Sequence, residues 1–151
     1  MSIVWCDYLP TRLKDIEMLC DSTGNVALRA GVPRTHPLAG KKLLTPEDFR
    51  GNRVMLVKKG DSRTVDAIRT ELSAFPDITI EDTAQFYDME VFNRCEQTQS
   101  VLITLECWKD VHPSLVTIPV KWDHKLPYGI LYPLHCTDDV QNVIDAIAAL
   151  S

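Results

Sequence analysis

Two near-continuous apolar runs, RVMLV at 53–57 and SVLITL at 100–105, constrain this chain most. A strand with one wet face alternates apolar and polar residues. An unbroken run marks a strand covered on both faces, as in the middle of a parallel sheet. The residues between the runs carry helical patterning. After Lys58-Lys59-Gly60, Asp61 or Ser62 caps a helix in which Val65, Ile68, Leu72 and Phe75 fall on one stripe, and Pro76 stops it. DITIED at 77–82 alternates as a strand. Phe86 to Glu96 reads as a helix on a weaker stripe of Phe86, Met89 and Phe92. Strand, helix, strand, helix, strand predicts a largely parallel sheet with helices on both faces.

The flanks add further elements. SIVWC opens the chain as a short strand. Asp7 to Asp15, with Pro10, reads as a loop, and NVALRAG as a second strand ending at Gly31. GVPRTHPLAG at 31–40 is a stiff polar connector, in which Pro33 and Pro37 forbid helix. Thr45, Pro46, Glu47 and Asp48 then start a short helix that Gly51 ends: a cap, a proline at the first position, and acids in the first turn. A turn or short helix follows around Glu106 to Asp110. LVTIPV at 115–120 and YGILY at 128–132 are two more strands. Thr137 caps a last helix, Asp138 to Leu150, with Val140, Val143, Ile144 and Ile147 inward.

A chain of 151 residues suits one domain, and 45% hydrophobic residues suffice for a core. The net charge of −5 argues against nucleic-acid binding by this chain alone, because phosphate contacts need clustered Lys and Arg. Lys41–Lys42 and Lys58–Lys59 read as solvated surface. The five cysteines, Cys6, Cys20, Cys95, Cys107 and Cys136, follow no metal-finger spacing and suggest a reduced, cytosolic compartment. No signal peptide and no run long enough to span a bilayer is visible.

Taken in order, these segments resemble LysR-type transcriptional regulators. GVPRTHPLAGKKLLTPEDFRG resembles that family's connector, a strand ending in His-Pro-Leu-Ala and then a capped helix of the Thr-x-x-Asp-Leu-x-Gly kind; Thr45, Asp48, Phe49 and Gly51 take those places. RVMLVKKGDS resembles the next strand and loop, HPSLVTIPV a later strand, and the last helix the family's C-terminal helix. QSVLITLECW sits where the family has Gly-x-Gly-Ile-x-x-Leu-Pro, with Gln97, Thr98, Gln99 and Ser100 where glycines are usual. The resemblance implies an α/β, periplasmic-binding-protein-like (type 2) fold with one complete βαβ lobe. Residues of about 25–130 would form that second lobe; 1–24 and 131–151 would form the hinge and a remnant of the first. It also implies an effector-binding domain, truncated on its N-terminal side, without the family's winged helix-turn-helix. The partners it implies are a small anionic metabolite and a second copy of the chain, with DNA reached only through a reader outside it. No membrane partner, cofactor or metal is expected.

The first candidate site is the loop Lys59-Gly60-Asp61-Ser62-Arg63, with Gly60 to Arg63 as its contact residues. It follows a buried strand and opens a helix, where open α/β sheets bind ligands and free N–H groups favour anions. The competing reading makes Asp61 or Ser62 a plain cap and Gly60 a turn residue. Gln99 and Ser100, at the head of the next buried strand, either contact an effector or close a helix–strand turn. Cys6 and Asp7, at the end of the first strand, either face the ligand or bury Cys6 as a small apolar residue. Enzyme signatures are few: His36, His112, His124 and His135 follow no ligand spacing, and no HExxH, GxSxG or P-loop pattern occurs. A Cys107–His112 pair is the residual catalytic alternative. An interaction module with a defunct ligand cleft is the other.

Overall fold

The computed structural model describes residues 2–5, 18–83, 88–133 and 135–150. The elements are β1 (Ser2–Trp5), β2 (Met18–Pro33), β3 (Arg53–Val57), α1 (Arg63–Leu72), β4 (Thr79–Thr83), α2 (Met89–Thr98), β5 (Val101–Leu105), β6 (Leu115–Ile118), β7 (Lys125–Pro133) and α3 (Asp138–Leu150). Single 3-10 turns cover Pro37–Gly40, Pro46–Phe49 and Glu106–Trp108. The chain divides into two compact units: Ala27–His124, and the two end segments Met1–Val26 and Lys125–Ser151.

In the larger unit β3 is central to a parallel trio. It pairs with β4, Val54 opposite Ile80, and with β5, Val54 opposite Val101. β2 runs antiparallel to β5, Leu28 opposite Leu105, and antiparallel to β6, Ala30 opposite Ile118. The sheet is therefore mixed, not largely parallel. Parallel neighbours need a crossover connection, and α1 and α2 supply one only from β3 to β4 and from β4 to β5. β3 is buried from Val54 to Val57 and β5 along its whole length, as unbroken apolar runs require.

Local chemistry sets most element ends. Ser62 caps α1, its Oγ accepting from Val65 N at 3.2 Å, and Val65, Ile68 and Leu72 are buried. α1 stops at Leu72 with Ser73 as its cap, short of Pro76, and Phe75 lies outside it. β4 begins two residues later than the alternation in DITIED suggests and ends at the buried Thr83. Asp88 caps α2, accepting from Val91 N. The buried stripe of α2 is Val91, Phe92 and Cys95, which pack with Met55, Leu102 and Leu115. Met89 is 52% exposed, so the expected stripe through it was one step out of phase; Phe86 lies outside the described residues.

The connector also differs from expectation. Pro37 does not bar helix: it opens the 3-10 turn Pro37–Gly40, since a first helical position needs no amide hydrogen. His36 caps that turn, Nδ1 accepting from Leu38 N at 3.1 Å, and Leu38 is buried. In the next turn the Asp48 carboxylate accepts from Thr45 N at 2.8 Å. The Lys41 ammonium, then the Thr45 amide, hold that carboxyl below the usual carboxylate range. Gly51 leaves the turn at φ +73°, where only glycine is unstrained.

In the smaller unit β1 pairs antiparallel with β7, Ile3 opposite Ile130. β7 also neighbours β2, which is far longer than the 25–31 expected, running from Met18 to Pro33. A side chain at Gly24 would collide with the Tyr128 ring: a Cβ there would stand 2.7 Å from its hydroxyl. Ile144 is buried with Ile130 and Tyr132, and Val140 and Ile147 pack beside them. Val143 is 43% exposed rather than inward, because it falls off that narrow stripe. The expected loop at Asp7 to Asp15 and residue Cys6 lie outside the described residues.

Candidate functional site

Parallel β3, β4 and β5 all point their C-terminal ends to one edge of the larger unit. Lys58–Ser62 follows β3 there. Gly60 sits at φ +96° with open space where a side chain would stand, so it is glycine for its backbone angle. Its N–H donates to both carboxylate oxygens of Asp66, each at 3.2 Å. Ser62 is buried and holds the first turn of α1, while Lys58, Lys59 and Arg63 are exposed. Asp61 keeps a buried Oδ2 with no hydrogen-bond partner. From the next turns of α1, Arg69 reaches back, donating to Val57 O at 2.9 Å and to Asp82 Oδ1 at 2.6 Å. The end of β3 is thus fastened to the end of β4, and the loop beyond it carries cations around a helix start.

Gln99 and Ser100 stand at the opposite edge. Ser100 precedes Val101, which is level with Val54 at the start of β3, whereas Gly60 lies beyond Val57. At ~3.3 Å per residue, the two loops are separated by about 13 Å or more of strand. They do not form one site. Gln99 ends α2 in the left-handed conformation at φ +50°. Its amide donates to Glu96 O at 2.9 Å and accepts from Thr35 Oγ1 at 3.1 Å. Ser100 is fully buried; its hydroxyl meets Thr98 Oγ1 at 2.7 Å and its carbonyl accepts from Cys95 Sγ. Cys6 and Asp7 lie outside the described residues.

The residual catalytic pair has little to work with. Cys107 is exposed, and partial desolvation by its surroundings raises its thiol above the ordinary value, the reverse of what a nucleophile needs. Both nitrogens of His112 are engaged, Nε2 with Asn93 Oδ1 at 3.1 Å and Nδ1 with Ser114 N at 3.3 Å. Cys95 is buried against α2's core, and its thiol is pushed up to about 12.

His36 is the one connector residue with a titration to test. Nδ1 accepts from Leu38 N, so the proton sits on Nε2, which donates to Asn52 Oδ1 at 3.1 Å. Burial lowers its pKa, outweighing the Asn52 contact. The unfolded chain therefore takes up the proton first as pH falls. The stability due to His36 is fully present above an imidazole's ordinary value of about 6.5 and is lost below it. Urea midpoints measured down to roughly pH 5 should drop through this range in the wild type and drop less in His36→Gln. Equal slopes would remove His36 from the account.

Sequence reasoning passed over Arg29, Thr104 and Glu106. The signal was present: an arginine inside the apolar strand NVALRAG. Arg29 Nη2 donates to Glu106 Oε1 at 2.6 Å, across 77 residues of chain.

No protein-family model and no curated protein matches this sequence. Solved structures do match its fold. The Synechocystis PCC6803 CcmR regulatory domain in complex with 2-PG superposes with a TM-score of 0.71 at 13% identity, over 95% of this chain and 78% of that one. The effector-binding domain of QuiR in complex with shikimate gives 0.69 at 13% identity, over 97% and 69%. CbnR, a LysR family transcriptional regulator, gives 0.67 at 13% identity over 89% of this chain, which spans 48% of CbnR. The chain has the fold of LysR-type regulatory domains, the α/β architecture of periplasmic-binding-protein type 2.

Proposed function

We propose that this chain is the effector-sensing part of a LysR-type transcriptional regulator. The observation that carries the reading is the match of 95% of the chain to a regulatory domain solved with a small molecule bound. Residues of about 25–130 serve as one lobe, and 1–24 with 131–151 supply the hinge and part of the other. The effector is a small anion. It meets Gly60, Asp61, Ser62 and Arg63 at the strand-end edge; Gln99 and Ser100 serve to close the turn between α2 and β5. Support comes from the exposed Lys58, Lys59 and Arg63 around the start of α1, where helix N–H groups favour negative charge. The chain works in the cytoplasm as a sensor and not a catalyst, and DNA is read by a separate domain. Among the described residues, no helix is long and apolar enough to cross a membrane.

The test is a thermal-shift panel of small carboxylates and phosphate monoesters, followed by titration of any hit. Ser62→Ala with Arg63→Ala should weaken binding about tenfold, the scale of one lost charge-assisted hydrogen bond. A loss of about 1 kcal/mol of stability with binding untouched would make Ser62 a cap and nothing more.

A homodimer belongs to the same reading. The half-exposed Val143 on α3 is an apolar group that a second copy would cover. Sedimentation at micromolar concentration should give twice the 17.1 kDa chain mass. A single monomeric boundary that persists on concentration would remove the dimer.

A further inference from the structure

Arg29 and Thr104 face each other across the antiparallel β2–β5 ladder, so their side chains share one face. Arg29 is a charge among the buried Leu28, Ala30, Gly31 and Val32. Its guanidinium spends Nη2 on Glu106, but its Nε–H is buried without an acceptor. Thr104 is 3% exposed, and its hydroxyl oxygen is buried without a partner. Interiors seldom leave such groups unmatched. Gly31 shares this face: a Cβ there would stand 3.4 Å from the Thr104 methyl, so the methyl and not the hydroxyl is turned toward it. The carboxylate on Arg29 is of a different character. The Glu106 side chain is 50% exposed, against 23% for Arg29, and it stands on the 3-10 turn that begins where β5 ends. That is the same edge at which Lys58–Arg63 follows β3.

We propose that Arg29 is the anchor for the carboxylate or phosphate of a small anionic ligand. Thr104 supplies a second donor, and Glu106 is an internal carboxylate that holds the guanidinium until the ligand displaces it. Glu106 engages one nitrogen. A ligand with two oxygens on one centre matches the Nε and Nη2 fork together, and so satisfies the orphaned N–H. Glu106 swings into water, where half of its surface already lies. The inference rests on the effector-sensing reading and adds to it a named anchor and a latch.

The full chain is titrated with inorganic phosphate and, separately, with malonate, following the arginine Nε–Hε resonances by NMR; Arg29→Lys assigns the Arg29 signal. The Arg29 resonance should shift saturably with one probe, and which probe acts separates phosphate from carboxylate recognition. Glu106→Gln should tighten binding about tenfold if the latch is closed nine-tenths of the time. Thr104→Val, equal in shape, should weaken it about fivefold, the scale of one hydrogen bond. Saturable binding that leaves Arg29 unmoved overturns the anchor while leaving the sensor reading standing. Unchanged affinity in Glu106→Gln overturns the latch. No saturable shift with either probe overturns the proposal, and the metabolite panel then decides the sensor reading separately.

Discussion

Phe49→Ala should lower the unfolding free energy by about 3–5 kcal/mol, the usual cost of emptying a buried aromatic site. Phe49 is fully buried at the end of the turn Pro46–Phe49. Its ring is tilted 57° to Trp122, with centroids 6.1 Å apart. Trp122 in turn donates from Nε1 to Leu28 O at 2.9 Å and stands edge-on to His124, whose Nε2 meets Glu71 Oε2 at 2.7 Å. One ring therefore supports contacts among the connector, β2, α1 and the segment after β6. A turn of four residues cannot hold this position by its own hydrogen bonds, because so short a helix returns little for the backbone it orders. Urea denaturation should show a lower midpoint at an unchanged slope. Phe49→Leu, which keeps much of the volume, should recover a large part of the loss. A cost under about 1 kcal/mol in the alanine variant would mean that the site collapses freely around the gap.

What the sequence made legible follows the range of the interaction responsible. Thr45 to Gly51 was readable because cap, proline, acids and glycine act within one turn. RVMLV was readable because a strand covered on both faces can hardly be written otherwise. Pairing partners were not readable. β2 sits between β5 and β6, and nothing near residue 30 says that residues 103 and 118 will flank it. The length of β2 was missed for the same reason: polar residues such as Asp21 to Asn25 carry no apolar period, yet backbone pairing holds much of that stretch in a strand.

The candidate site divides in the same way. That a loop after β3 opens a helix was local information. That Gln99 and Ser100 lie at the other edge follows from strand direction alone: residues before one parallel strand and residues after its neighbour stand at opposite ends. The Arg29–Glu106 pair and the Thr35–Gln99 bond join residues 77 and 64 apart, beyond any local pattern. Only the oddity of an arginine in an apolar strand was there to be noticed.

The phase of α2 is the sharpest local miss, and it yields the second large effect. Phe92→Ala should cost about 3–5 kcal/mol, whereas Met89→Ala should stay within about 0.5 kcal/mol. Three apart, the two residues fit one stripe in the sequence. A three-residue step turns a helix by about 300°, so a stripe extrapolated from two or three residues drifts unless a fourth fixes it. Here Val91 and Cys95, four apart, fix it: both are buried with Phe92, and Met89 is left in solvent. Phe92 stacks on His112 with centroids 6.0 Å apart and planes within 24°, and it packs in the cluster that holds Met55 and Leu102 beneath α2. Removing the ring opens a cavity under the helix and takes the apolar cover from His112, whose ring nitrogens stay bound to Asn93 and Ser114. Met89, at the first position of α2 with Asp88 as its cap, is half exposed and stands outside the buried cluster. Paired urea curves decide the matter: comparable losses in the two variants would restore the stripe through Met89 and overturn the burial assigned to α2.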